Sequence, residues 1–98
     1  MTDTEYTIIR EDGATRGRYV IHLAPGYEAE MTFHKDANGT ITIDHTLVPP
    51  EYEGRGIAAR LVNRAIADAR EQGFKIIPVC SYVVAQFRRH PEWADLRA

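Results

Sequence analysis

Residues 44–59, D-H-T-L-V-P-P-E-Y-E-G-R-G-I-A-A, constrain the fold of this chain more than any other stretch. A β-prone run, Thr40–Val48, leads into two consecutive prolines. Pro49 and Pro50 have no N–H to give to a ladder, so strand pairing must stop there. Gly54 and Gly56 then allow a tight turn with no Cβ in the way. From Ile57 the apolar residues Leu61, Val62, Ala65, Ile66 and Ala69 recur at helical spacing. The first N–H groups of that helix have no intrahelical partner, and they sit at the positive end of its dipole. A glycine turn opening into a helix in this way suits an anion, phosphate above all.

Upstream, the pattern has period two. Tyr6–Arg10 is short and β-prone, and Glu11-Asp12-Gly13 reads as an acidic turn. In Gly17–Ala24, Tyr19, Ile21 and Leu23 share one face while Val20 and His22 take the other. Pro25-Gly26 marks a turn. Tyr27, Ala29, Met31 and Phe33 then alternate with Glu28, Glu30, Thr32 and His34, a strand with one wet face. Asn38-Gly39 is a strong hairpin signal. Four antiparallel strands in a meander are expected.

Downstream, the polar side of the helix carries Arg60, Arg64, Asp68 and Glu71. Arg64 and Asp68 stand one turn apart, a surface pair worth about 0.3 kcal/mol. Gly73 is a helix stop. Lys75–Cys80 reads as a short strand. Ser81 is placed to cap a second helix, SYVVAQFRRH, with Val83, Val84 and Phe87 inward. Pro91 ends that helix, and Trp93 and Leu96 dock the tail.

Strand, helix and strand in one sheet require a right-handed crossover and a parallel pair. The expected fold is therefore α/β (α+β), a mixed, mostly antiparallel sheet of about five strands with a central helix and a second, C-terminal helix. Residues 1–98 suit a single domain. The two parallel strands end on the same edge, and the proline break keeps the first from running on beside the second. A cleft between their ends, floored by the helix N-terminus, follows from that geometry.

The formal net charge of −2 argues against a nucleic-acid partner. No apolar run approaches the ~20 residues of a membrane span. Cys80 is the one cysteine, so no internal disulfide forms, and a reduced thiol in a cytoplasmic protein is expected. The four histidines show no ligand spacing, so no metal is expected. An exposed sheet edge allows a monomer or a weak dimer.

Gly54–Ala59 matches the dinucleotide pattern G-x-G-x-x-A, but the preceding strand belongs to an antiparallel meander and the chain is too short for paired βαβ halves. With its flanks, Val48–Val62 resembles the pyrophosphate-binding segment of the GNAT acetyltransferase superfamily, Arg/Gln-x-x-Gly-x-Gly/Ala. Gly56 and Ala58 occupy the small positions, while Glu53 stands where Arg or Gln is usual. Asp44-His45-Thr46, Pro78-Val79-Cys80-Ser81-Tyr82-Val83 and Arg89-His90-Pro91-Glu92-Trp93 extend the likeness to the GNAT-like proteins of about one hundred residues. The resemblance covers Tyr19 to the C-terminus.

The resemblance implies an acetyl-CoA-binding domain, an N-acetyltransferase moving acetyl from acetyl-CoA to an unidentified amine. The alternative is a non-catalytic acyl-CoA-binding or protein-interaction module. It implies that Glu53, Gly54, Arg55, Gly56, Ile57 and Ala58 hold the pyrophosphate through backbone N–H groups, with Arg55 supplying positive charge. Pantetheine would pair with backbone near Leu47 and Val48. Cys80 stands as nucleophile or acyl holder, His45 as base, and Tyr82 as proton donor to the CoA thiolate. Each has an ordinary reading beside it: a small buried thiol, a hydrogen-bonded sheet histidine and a packing tyrosine.

Overall fold

The computed structural model describes residues 6–98. Five strands lie in sequence order in one sheet: β1 (Ile9–Asp12), β2 (Arg16–Ala24), β3 (Tyr27–Lys35), β4 (Ile41–Leu47) and β5 (Ile76–Pro78). The first four are antiparallel neighbours, and β5 joins β4 in parallel. Helix α1 (Ile57–Gln72) makes the crossover, and α2 (Ser81–Arg89) leaves from β5. Short 3₁₀ turns occupy Pro50–Tyr52 and Pro91–Leu96. The mixed-sheet α+β architecture expected from the two periodicities is the one observed.

One face of the sheet carries the core. Tyr19, Ile21, Met31, Phe33, Ile41 and Ile43 pack against Ile57, Leu61, Val62 and Ala65 of α1, and Val83, Phe87, Trp93 and Leu96 extend the same cluster. Burying each large apolar side chain stabilises the fold by about 1.5–3 kcal/mol. A register slip of one residue would turn that whole row to water, so the core pins the strand register. On the opposite face Val20 is buried outside the main cluster, and Ile9 and Leu47 stand exposed among polar residues.

The structure corrects several local expectations. Glu11 and Asp12 belong to β1, not to a turn. Glu11 lies directly opposite Arg18 and pairs with it at 2.7 Å, and Glu30 on β3 meets the same guanidinium at 2.8 Å. These cross-strand charges make acidic residues acceptable in the strand. The β3–β4 connection keeps Gly39 at φ +84°, but it is wider than a two-residue hairpin. The Asp36 carboxylate accepts from the N–H groups of Asn38 and Thr40 and holds the longer loop.

Asp68 is the largest correction. It is buried, not part of the wet side of α1. Its carboxylate accepts from the Tyr19 hydroxyl at 2.8 Å, from Arg64 Nε at 3.2 Å and from Arg10 Nη1 at 3.3 Å. The expected Arg64–Asp68 pair exists, as one arm of a network that joins α1 to β1 and β2. Burial, reinforced by Asp68, drives the Tyr19 phenol far above its ordinary value. Ser81 does not cap α2: Cys80 is the N-cap residue, with no side-chain cap bond. Val84 is only half-buried, while Val83 and Phe87 face the core as expected.

Candidate functional site at the splayed strands

The β4–β5 pairing ends early. Its last residue pair is Ile43 with Pro78. The N–H groups of Val79 and Cys80 both donate to the Ile43 carbonyl, at 3.1 and 3.0 Å. That double use of one acceptor turns the chain out of the sheet and into α2. Beyond Ile43, β4 runs on through Leu47 without β5 beside it. The expected cleft lies in this gap.

A β-bulge shapes the same end of β4. Phe33 pairs with Ile43, but Thr32 pairs with His45, leaving Asp44 as the extra residue. A bulge changes which face each following residue takes. In a regular strand Asp44 and His45 would point to opposite faces. Here Asp44 reaches Thr32 Oγ1 at 2.5 Å and His34 Nδ1 at 2.7 Å, on the polar face, and His45 stands opposite Thr32 on that same face. The Asp44 carboxylate is thus engaged by Thr32 and His34. Thr46, opposite Met31, faces inward.

The glycine loop forms the floor. Gly54 and Gly56 have φ of +81° and +75°, in the left-handed region where a Cβ is strained. Gly56 is the N-cap of α1 and offers no side chain to its first N–H groups, and the first turn contains no acidic residue. Arg60 N–H, one turn in, bonds the Gly56 carbonyl at 3.2 Å. The donors before it are left at the positive end of a sixteen-residue helix.

These donors open on a cavity of about 350 Å³ lined by Val48, Tyr52, Glu53, Gly54, Gly56, Ile57, Ala58 and Tyr82. Six of the eight residues expected around a cofactor are therefore brought together, and Tyr82 with them. Leu47 and Arg55 lie outside the lining. Leu47 is exposed at the end of β4. Arg55 lays its guanidinium over the Tyr52 ring, 4.9 Å from the centroid, and Tyr52 meets Tyr27 at 5.8 Å. Tyr52 was not singled out from the sequence; its place between two prolines and two glycines was the available signal. Burial pushes the Tyr82 phenol up, partly offset by the positive charge of Arg89.

Cys80 is half-buried, and its Sγ lies 3.4 Å from Thr46 Oγ1 across the gap. His45 is exposed on the other face of β4. The thiol is thus joined to Thr46, not to the imidazole. A larger hollow of about 570 Å³ lies at the β2–β3 turn, but its His22 and Glu28 are paired with each other at 2.9 Å. The first N–H groups of α1, which have no partner among the described residues, make the smaller cavity the better anion site.

A left-handed glycine pair, an uncapped helix and two parallel strands parting beside it form one unit of architecture. Residues 18–96 of the chain match the family model described as GCN5-related N-acetyl-transferase. The chain belongs to the GCN5-related N-acetyltransferase (GNAT) family. The match begins within β2 and reaches the final 3₁₀ turn, so it takes in the sheet from β2 onward, both helices and the cavity, and leaves β1 outside. The domain is of acetyltransferase type. Among the described residues, no helix is long and apolar enough to cross a membrane.

Proposed function

We propose that the protein binds acetyl-CoA in the cavity at the glycine loop and transfers its acetyl group to an amine. The observation that carries this reading is the uncapped N-terminus of α1 opening on that cavity. Backbone N–H groups from Gly54 to Ala58 would hold the pyrophosphate, as helix N-termini hold phosphate generally. The pantetheine arm would run along β4 past Val48 and Leu47 toward Cys80. Arg55 stands beside the loop and adds positive charge near the phosphates, against the carboxylate of Glu53. The whole chain, residues 1–98, would act as one domain without a metal.

Two routes for the acetyl group are open to these residues. In one, Cys80 releases its thiol proton to solvent and Sγ attacks the thioester carbon; the new S–C bond forms as the CoA S–C bond breaks, and the electron pair leaves on the CoA sulfur. Tyr82, kept protonated by burial, supplies the proton to that thiolate. An amine then attacks the Cys80 thioester; the N–C bond forms as the Cys80 S–C bond breaks, and Cys80 leaves as the thiolate. In the other, the amine attacks acetyl-CoA directly. In the direct route, His45 on the polar face accepts the proton from an amine approaching on that side, and in the covalent route the amine releases its proton to solvent.

Acetyl-CoA titration followed by amide NMR, with intact mass recorded after incubation, tests this reading. Shifts centred on Gly54–Ala59 support the binding site. A gain of one acetyl group that Cys80→Ala abolishes supports the covalent route. Binding without acylation or turnover of any amine would favour an acyl-CoA-binding module, and no binding would overturn the proposal.

A further inference from the structure

We propose that Thr46 is the residue that positions the Cys80 thiol. This rests on the reading of Cys80 as the acyl acceptor, and it adds a residue to that site. The β4–β5 ladder stops at Ile43 and Pro78, so beyond that point no strand pairing holds the two chains together. The Cys80 backbone is fixed by its N–H bond to the Ile43 carbonyl. That bond leaves the side chain free to rotate about χ1. Cys80 packs against the core, and the Thr46 hydroxyl, 3.4 Å from Sγ, is a polar contact that can favour one direction.

The bulge makes this contact possible. With Asp44 inserted, Thr46 opposes Met31 and turns inward, toward the gap. Without the insertion, position 46 would face the opposite way and no hydroxyl would reach the thiol. Threonine also suits the task. Its β-branch restricts χ1, so the hydroxyl is presented in few orientations. A hydroxyl both accepts and donates. It accepts from the neutral S–H in the resting state and can donate to sulfur when the proton has left. A hydrogen bond to a charged sulfur is stronger than one to a neutral thiol. Thr46 would thus stay with the nucleophile through the change of charge, and it need not touch the acetyl group.

The test uses iodoacetamide on the full-length folded protein without CoA. Alkylation forms the S–C bond, expels iodide and releases the thiol proton to buffer. At one fixed pH, Thr46→Val should slow alkylation of Cys80 about tenfold, the weight of one hydrogen bond to a charged group. Thr46→Ser should return the rate to within about twofold of the parent, since it keeps the hydroxyl. Urea midpoints of each variant check that the fold is retained, and Thr46→Ala replaces the valine variant if that does not fold. A parent-like rate in Thr46→Val or Thr46→Ala overturns the proposal. So does a rate as slow in Thr46→Ser as in Thr46→Val, which would make the role one of packing. Because the reagent is not CoA, failure of acetyl-CoA binding would leave this result readable.

Discussion

The two halves of α1 meet the sheet in opposite ways. Near its C-terminal end, Asp68 is enclosed by Tyr19, Arg10 and Arg64, and Gly73 closes the helix with its N–H on the Ala69 carbonyl. At its N-terminal end, Gly56 offers no cap, and a cavity opens beside the packed Ile57. One end has its polar groups satisfied by the chain itself. The other has helix donors with no partner among the described residues, on a helix that the first end holds in place. Stability and binding are thus concentrated at different ends of the same element.

The comparison breaks most visibly at the satisfied end. Asp68→Ala should cost about 2 kcal/mol, because it leaves the buried Tyr19 hydroxyl without its acceptor, while Arg10 keeps Asp12 and Gln72 and Arg64 keeps the Ile8 carbonyl. Urea denaturation reads that loss, and acetyl-CoA affinity measured on the remaining folded protein should change little. At the open end, Gly56→Ala should cost about 1–2 kcal/mol from the left-handed backbone alone, since a Cβ there meets nothing within 4 Å. Calorimetric titration should show acetyl-CoA affinity falling about tenfold, because the loop donors lose their aim.

A smaller effect sharpens the contrast. Glu53→Gln removes a carboxylate from the cavity wall and should tighten acetyl-CoA binding about threefold at low salt, with the gain shrinking as salt is added. Its urea midpoint should not move. The smallest effect is a pH response at Tyr82. Its phenol is raised by burial, so the stability it contributes is complete below pH ~10, the ordinary phenol value. That contribution is lost as the pH climbs toward the raised folded value. Ultraviolet titration of the phenolate band, compared with Tyr82→Phe, should show this tyrosine ionising above the ordinary range.

The sheet, the crossover and the glycine loop were legible in the chain because each rests on local chemistry. Period-two rows gave β2 and β3, Pro49-Pro50 ended β4, and Gly54 and Gly56 opened α1. Three features that decide the site were not legible. The bulge at Asp44 is one extra residue in an otherwise regular strand, and nothing in T-I-T-I-D-H-T-L-V marks it. Yet it decides that His45 shares a face with Asp44 and that Thr46 meets Cys80. Asp68 looked solvent-facing on the helical wheel, because its burial depends on the hydroxyl of Tyr19, distant in sequence. Cys80 takes the N-cap position in place of Ser81 because Ile43 holds two successive N–H groups, a long-range contact that local propensity does not contain.

The three-residue β5 strand carries a kinetic consequence. Its partner β4 lies on the far side of the whole crossover, and its other neighbour is the tail, where Arg97 bridges to Ile76 and the Ala98 N–H reaches the Ile76 carbonyl. The β2–β3 and β3–β4 hairpins close over short loops, whereas this pairing must first close a long one. Loop-closure entropy therefore assigns β5 to the end of folding. In a refolding chain pulsed for amide hydrogen exchange, the Cys80 N–H that donates to the Ile43 carbonyl should gain its protection after the meander has formed, and equally early protection would refute that order. The residue offered for chemistry follows directly on the last strand to arrive.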